Sequence, residues 1–307
     1  MRQGVHTAWN LQRIVAELDK RINDSWRDEK LRQLERVCTG LEPANKMVGR
    51  ASLSLLSLGL EYSRRATRAT LSDNVLDERG IAIASAYSLR GWEFALIQLG
   101  SRFKTRNDAR SGFDELAITI AQTLSIGWTN FHRVGEEMVS SVLKGHFFAA
   151  YPPYRNCAAW LITKLFADWR GLRVTNWPAH QYPAPIYDAL LSNWREPDEN
   201  KLTDLLIAAC DWHTHECWKW SDNPEDHGDF TLDPYFAWPI EIHMILRMRE
   251  NLGLPNPIFE HPLMQTALGE FRPPLRIFTD SLLDAVTSKV VETYPKLADQ
   301  LSLLTAR

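Results

Sequence analysis

Apolar residues recur every three or four positions along most of the chain, the repeat expected of helices with one buried side. Near the start, Trp9, Leu11, Ile14, Val15, Leu18 and Ile22 form one stripe. After a polar break from Asn23 to Lys30 it resumes through Leu31, Leu34, Val37 and Cys38, until Gly40 and Pro43 stop it. The same spacing predicts helices over about 47–69, 76–100 (capped by Ser72 or Asp73), 113–128 and 130–145. Beyond the prolines at 152 and 153 it predicts helices from Cys157 to near Gly171, over 186–194, from Asp198 to Trp220, over about 240–252 and over 280–304. Alternating runs of Val, Ile and Thr, the mark of strands, are missing. The expected fold is all-α, about ten helices packed as hairpins or layers. The prolines place a boundary at 146–154, between an N-terminal helical domain (1–150) and a C-terminal one (151–307), the two halves closely packed.

Composition agrees with a packed protein: 307 residues, 45% hydrophobic and 24% charged. The opening MRQGVHTAWNLQR lacks the apolar run of a secretory leader. The most apolar stretch, Ala51 to Leu60, is far short of the ~20 residues a membrane helix needs. Four cysteines without a CxxC pair fit reduced thiols, so the expected location is the cytoplasm. Arg64, Arg65 and Arg68 fall near the predicted end of the second helix, where cations complement the helix dipole.

Charge is spread unevenly. Residues 1–110 carry nineteen Lys and Arg against thirteen acids, whereas 196–233 carry eleven acids against two lysines. That acidic segment disfavours nucleic acid as a partner and favours a basic surface.

The candidate chemistry gathers between Asp211 and Met264, rich in His, Trp and acids. His213 and His215 look like a metal pair, but two residues apart on a helix they point about 200° apart and cannot share an ion unless the helix ends first. Cys210, His213 and Cys217 do share a face and offer zinc-type donors, yet in no zinc spacing, so core packing is the simpler account. Neither HExxH nor a paired Glu-x-x-His motif occurs, and no metal or cofactor is expected. Asp222, Glu225, Asp226, Asp229 and Asp233 crowd a loop with Pro224 and Gly228, out of the order a calcium loop requires. They are either a solvated turn or a recognition surface presented by the aromatic-rich helices on each side. Asp233-Pro234 reads as a cap and Trp238-Pro239 as a helix restart. In the next helix Glu241, His243, Arg247 and Arg249 are polar residues on an otherwise apolar cylinder. As catalytic groups Glu241 or His243 would need a cleft; as buried groups they need partners. His261-Pro262-Leu263 reads as a rigid turn, with His261 bonded to backbone.

The run WPIEIHMILRMRENLGLPNPIFEHPLM resembles the C-terminal domain of PoNi-like proteins, bacterial immunity proteins that neutralise polymorphic nuclease toxins. The matching positions are Pro239, Glu241, Arg249, Gly253, Leu254, His261, Pro262 and Leu263, and the resemblance covers about 150–265. It implies an all-helical, non-enzymatic protein that binds a cognate toxin, of the sort delivered by type VI secretion, and inhibits it. The acids Asp222, Glu225, Asp226, Asp229 and Asp233 would then occupy the toxin's basic cleft. Trp218, Trp220, Tyr235 and Phe236 would be aromatic anchors or core. The alternative is a metal-dependent hydrolase using Asp211, His213, His215 and acids of the loop, which requires those side chains to converge on a pocket. A helical scaffold protein is a third reading.

Overall fold

Each apolar stripe becomes a helix, and the ends fall where capping groups are available. A computed structural model of the chain describes residues 3–102, 112–144, 156–177, 184–217 and 228–301. Among these residues there are eleven α-helices and no strand; the extended pairing they show is an isolated bridge between Cys217 and Phe230. The expected all-α fold is the one observed.

Helix α1 (Leu11–Arg21) is capped by Asn10, whose side chain accepts from the Arg13 amide. The polar break proves much shorter than its composition suggests. Helix α2 (Asp24–Cys38) begins at once after Asn23, which caps it by accepting from the Trp26 amide. The polar residues 24–30 are its solvated side rather than a loop. Helix α3 (Ala44–Asp73) ends at Asn74 in the left-handed conformation (φ 51). The cap of α4 (Glu78–Arg102) is Asp77, not Ser72 or Asp73, which are still helical: Asp77 Oδ1 accepts from the Gly80 amide at 2.9 Å. The short turn makes α3 and α4 an antiparallel hairpin. Small residues bring the two close: a Cβ on Gly59 would stand 2.2 Å from Ser88 Oγ, and Ser52 donates to Gly91 O at 2.9 Å.

Helices α5 (Phe113–Ser125), α6 (His132–Leu143), α7 (Cys157–Trp169), α8 (Pro185–Asn193), α9 (Glu199–Glu216), α10 (Ile240–Asn251) and α11 (Ser281–Thr293) complete the set. The last ends well before Leu304, because Pro295 cannot donate the next helical bond and the chain continues as a 3-10 turn over Pro295–Gln300. Helix α10 is buried from Ile240 through Arg249, and α5 from Leu116 through Ser125. Burial on every side is what an apolar pattern without a polar stripe dictates. These two helices pack on each other and on α7, while α11 packs on α2. One hydrophobic core therefore runs through both halves of the chain. The expected boundary, 146–154, lies outside the described residues.

The three arginines of α3 have a different role from the one expected. The helix runs on to Asp73, so they are interior to it, and they form ion pairs: Arg64 with Asp233, Arg65 with Glu61 and Asp24, and Arg68 with Asp19. Among the described residues no helix is long and apolar enough to cross a membrane.

Candidate functional site

Helix α9 presents two faces, and the candidate residues divide between them. Asp211, Thr214 and His215, spaced to share a side, clasp the N-terminal segment. The Gly4 amide donates to Asp211 Oδ2 at 3.0 Å, the His6 amide donates to Thr214 Oγ1 at 3.0 Å, and His215 Nε2 donates to Gly4 O at 2.9 Å. Trp9 Nε1 completes the clasp by donating to Phe236 O at 2.7 Å. His213 points the other way, fully buried. The two histidines diverge as helical geometry requires.

His213 lies between two acceptors. Its Nδ1 is 2.8 Å from Glu241 Oε1 and its Nε2 is 2.9 Å from Tyr235 O. The Tyr235 carbonyl can only accept, so Nε2 carries a proton, and opposite an ionised Glu241 Nδ1 carries one too, which makes the ring an imidazolium. Burial opposes that charge, but the Glu241 carboxylate, with Cys217 beside the ring, more than reverses it and holds the pKa well above the ordinary histidine value. The Phe230 ring covers it, centroids 3.9 Å apart. Cys217 donates to His213 O at 3.1 Å, and burial, against the pull of the imidazolium, pushes its thiol pKa up. Cys210 is raised by burial as well. Among the described residues no group of three or more His, Cys, Asp or Glu side chains is placed to hold a metal ion.

A second pair on α9 resolves the opposite way. His261 Nδ1 accepts from the Leu263 amide at 3.1 Å, so its proton sits on Nε2, which donates to Asp211 Oδ1 at 3.1 Å. That ring is neutral, and burial lowers its pKa in spite of Asp211. His261 thus bonds backbone, as the turn predicted, and a carboxylate besides. His243 Nε2 donates to Gly269 O at 2.7 Å, and burial pushes its pKa down to about 4, with Arg247 adding to the effect. Glu241 and His243 are held inside the core, bonded to it.

The acidic loop requires a correction. Asp222, Glu225 and Asp226, with Trp218 and Trp220, lie outside the described residues. Asp229 and Asp233 do not face water; they are buried. Asp229 caps the start of α7, accepting from the Cys157 amide at 2.7 Å and from Trp212 Nε1 at 3.1 Å. Burial, with the Glu216 charge adding to it, pushes its pKa up to about 7. Asp233 is gripped by Arg64, whose Nε is 3.0 Å from Oδ2 and Nη2 3.2 Å from Oδ1. Both acids stand where the chain re-enters the core, and each is there because donors already in the core need a partner. Tyr235 and Phe236 are buried too; Tyr235 donates to Gln122 Oε1 of α5 at 2.5 Å.

Arg249, one of the polar residues that as a buried group needs partners, finds them mostly in backbone carbonyls. Its buried guanidinium donates to Trp194 O at 2.6 Å, to Glu196 O at 3.0 Å, to Pro255 O and to Asn256 Oδ1 at 3.3 Å. It ties the approach to α9 to the loop that leaves α10. Pro239 precedes the first turn of α10, its carbonyl accepting from the His243 amide at 3.0 Å.

A cleft of about 370 Å³ also opens between α7 and α8, lined by Lys164, Asp168, Trp177, Trp194 and Arg195 among others. Asp168 receives Trp194 Nε1 at 2.8 Å and lies 2.7 Å from Arg195. These residues come from separate elements, so no motif announces the cleft. Asp211, His213 and His215 do not line it.

No protein-family model, curated protein or solved structure matches the chain.

Proposed function

We propose that this chain is an immunity protein that binds a cognate antibacterial toxin, of the nuclease type, and blocks it with an acidic face. The observation that carries the proposal is the charge of residues 196–233, where seven acids remain against two lysines once the four buried ones are set aside. A nuclease must hold phosphates, so its cleft is basic, and an acidic protein surface both competes for that cleft and speeds encounter. Asp211, Glu216, Asp229 and Asp233 are buried and drop out of the count. Asp198, Glu199 and Asp204 are exposed and Glu196 half-buried, all at the start of α9. Asp222, Glu225 and Asp226 complete the acidic set.

The likeness of Pro239, Glu241, Arg249 and His261 to the PoNi-like pattern supports the same reading, with those residues as scaffold rather than interface. Binding is also favoured over hydrolysis by what the histidines do. Asp211 and His215 hold the N-terminal segment, while His213 is spent on Glu241 and Tyr235, so the three serve no common point. In this reading the protein acts in the cytoplasm, where free thiols persist.

The test is co-expression with the protein encoded beside it, one partner tagged, with capture at low and high salt. The expected result is a complex that weakens as salt rises and cells protected from the neighbour's toxicity. Absence of a complex at low salt, together with no protection, would overturn the proposal.

A further inference from the structure

The cleft between α7 and α8 is lined by none of the acids assigned to the toxin interface, and its lining sorts into an apolar side and a charged rim. Leu172, Val174, Trp177 and Leu191 supply the apolar side. Trp177 stands edge-on to Trp160, ring centroids 6.4 Å apart and planes at 89°. The rim is already ordered. Asp168 Oδ2 accepts from Trp194 Nε1 at 2.8 Å and lies 2.7 Å from Arg195 Nη1, while Arg195 Nη2 donates to Asp168 O at 2.8 Å. The same guanidinium lies over the Trp194 ring, 4.3 Å from its centroid. Lys164 is the other cation of the rim. It is half-buried one helical turn before Asp168, with Nζ 6.0 Å from the centre of the Trp160 ring. Burial lowers the pKa of its ammonium, an effect that Asp188 and then Cys157 only partly offset. A lysine four residues before an aspartate can pair with it along a helix, yet the Asp168 carboxylate is engaged by Arg195 and Trp194 instead.

We propose that this cleft binds a small organic anion, a single carboxylate or equivalent acid group carried on a flat apolar ring system. The acid group sits at the rim, with Lys164 and the donors of Arg195 that Asp168 does not use, and the ring lies against Trp177, Leu172 and Leu191. Charge sets the sign of the ligand: Lys164 and Arg195 against Asp168 leave the lining with one positive charge in excess. Size sets its bulk. The volume of about 370 Å³ falls at the lower end of the ~300–1,000 Å³ usual for small-molecule sites, room for a fused pair of rings. Order favours binding as well, because a cation already fixed by a carboxylate and an indole has little freedom left to lose when an anion arrives. An organic cation would meet the excess charge, and a second acid group on the ligand would meet Asp168. The proposal stands apart from the toxin-binding reading and does not depend on it.

The experiment titrates the nitrogen-15-labelled full chain with naphthoate and follows the indole N–H signals of Trp177 and Trp194 by NMR. Three companion probes separate ring from charge: naphthalenemethanol keeps the ring without the charge, naphthylmethylammonium reverses the charge, and acetate keeps the charge without the ring. The expected result is saturable binding of naphthoate about tenfold or more tighter than of the alcohol, with the ammonium and acetate weaker still. Lys164→Met should weaken naphthoate about tenfold and leave the alcohol unchanged. Ser192→Trp, which fills the cleft from its wall, should block both. Ser192 is exposed and Lys164 half-buried, so the melting temperature should hold. Indole signals that do not move at millimolar naphthoate would overturn the proposal. So would equal affinities for naphthoate and the alcohol, tighter binding of the ammonium, or naphthoate binding that survives Ser192→Trp.

Discussion

Removing the Glu241 carboxylate tests whether His213 is a buried cation, and two replacements separate charge from bonding. In Glu241→Leu the ring loses its counter-charge and the acceptor for Nδ1. It must then stay charged without a partner or shed a proton and leave Nδ1 unbonded in a site that water does not reach. Breaking a buried pair from one side costs about 3–5 kcal/mol, against a total stability of about 5–15 kcal/mol for an ordinary domain. In Glu241→Gln the ring can give up one proton, keep Nε2–H on Tyr235 O and accept from the new amide at Nδ1. A charge-assisted bond is exchanged for a neutral one, at a cost of about 1 kcal/mol. Urea denaturation reads the stabilities, and nitrogen-15 NMR of the imidazole reads the protonation. The ring's folded pKa is raised, so its contribution to stability is full below the ordinary value of 6.5 and is lost as pH rises through the higher one. The wild type should therefore weaken on the alkaline side more steeply than Glu241→Gln. A neutral His213 at neutral pH in the wild type, or equal costs for the Leu and Gln variants, would refute the reasoning.

Three further outcomes follow from the same network. Asp229 rises from 3.8 to about 7 on burial beside Glu216, so its contribution to stability is full below 3.8 and is lost as pH climbs through about 7. A shift of about three pH units corresponds to about 4 kcal/mol at most, and Asp229→Asn should flatten the fall in melting temperature between about pH 4 and pH 7; an unchanged slope there would place the titration elsewhere. Arg249→Lys replaces a planar fork of donors by a point charge and should cost about 3 kcal/mol, with faster amide exchange at Leu254; unaltered exchange would mean the loop is held some other way. Asp233→Asn leaves the Arg64 guanidinium with Glu61 at 3.9 Å as its remaining carboxylate and should lower stability by about 2 kcal/mol; if the chain binds a toxin as proposed, affinity is unchanged, and a denaturation curve and a titration report the two separately.

Helices were legible because one residue in three or four reveals which side is wet. Their ends were less so. The polar run 24–30 looked like a break, since hydropathy cannot tell a loop from the solvated side of a helix; the cap at Asn23 settles it. Placing the end of α3 at about residue 69 rather than Asp73 turned Arg64 into a dipole partner on paper, when its real partner, Asp233, lies 169 positions away. The divergence of His213 and His215 needed only the pitch of a helix, and so it was available from sequence. Which protons those rings carry was not, because that depends on a carbonyl of Tyr235 and an amide of Leu263 that the fold alone brings to them.

The acidic count shows how charge without direction misleads. A carboxylate is written the same way in a sequence whether it faces a toxin or caps a helix from within. Of the five acids between 222 and 233, Asp229 holds the start of α7 and Asp233 holds α3. Neutralising all five together would weaken the fold by several kcal/mol and imitate a lost interface, even if the toxin never touched them. A variant limited to Asp222, Glu225 and Asp226 leaves both buried carboxylates in place. If the chain binds a toxin as proposed, weaker binding by that variant with an unaltered melting temperature would mark those acids as part of the interface, and unchanged binding would exclude them.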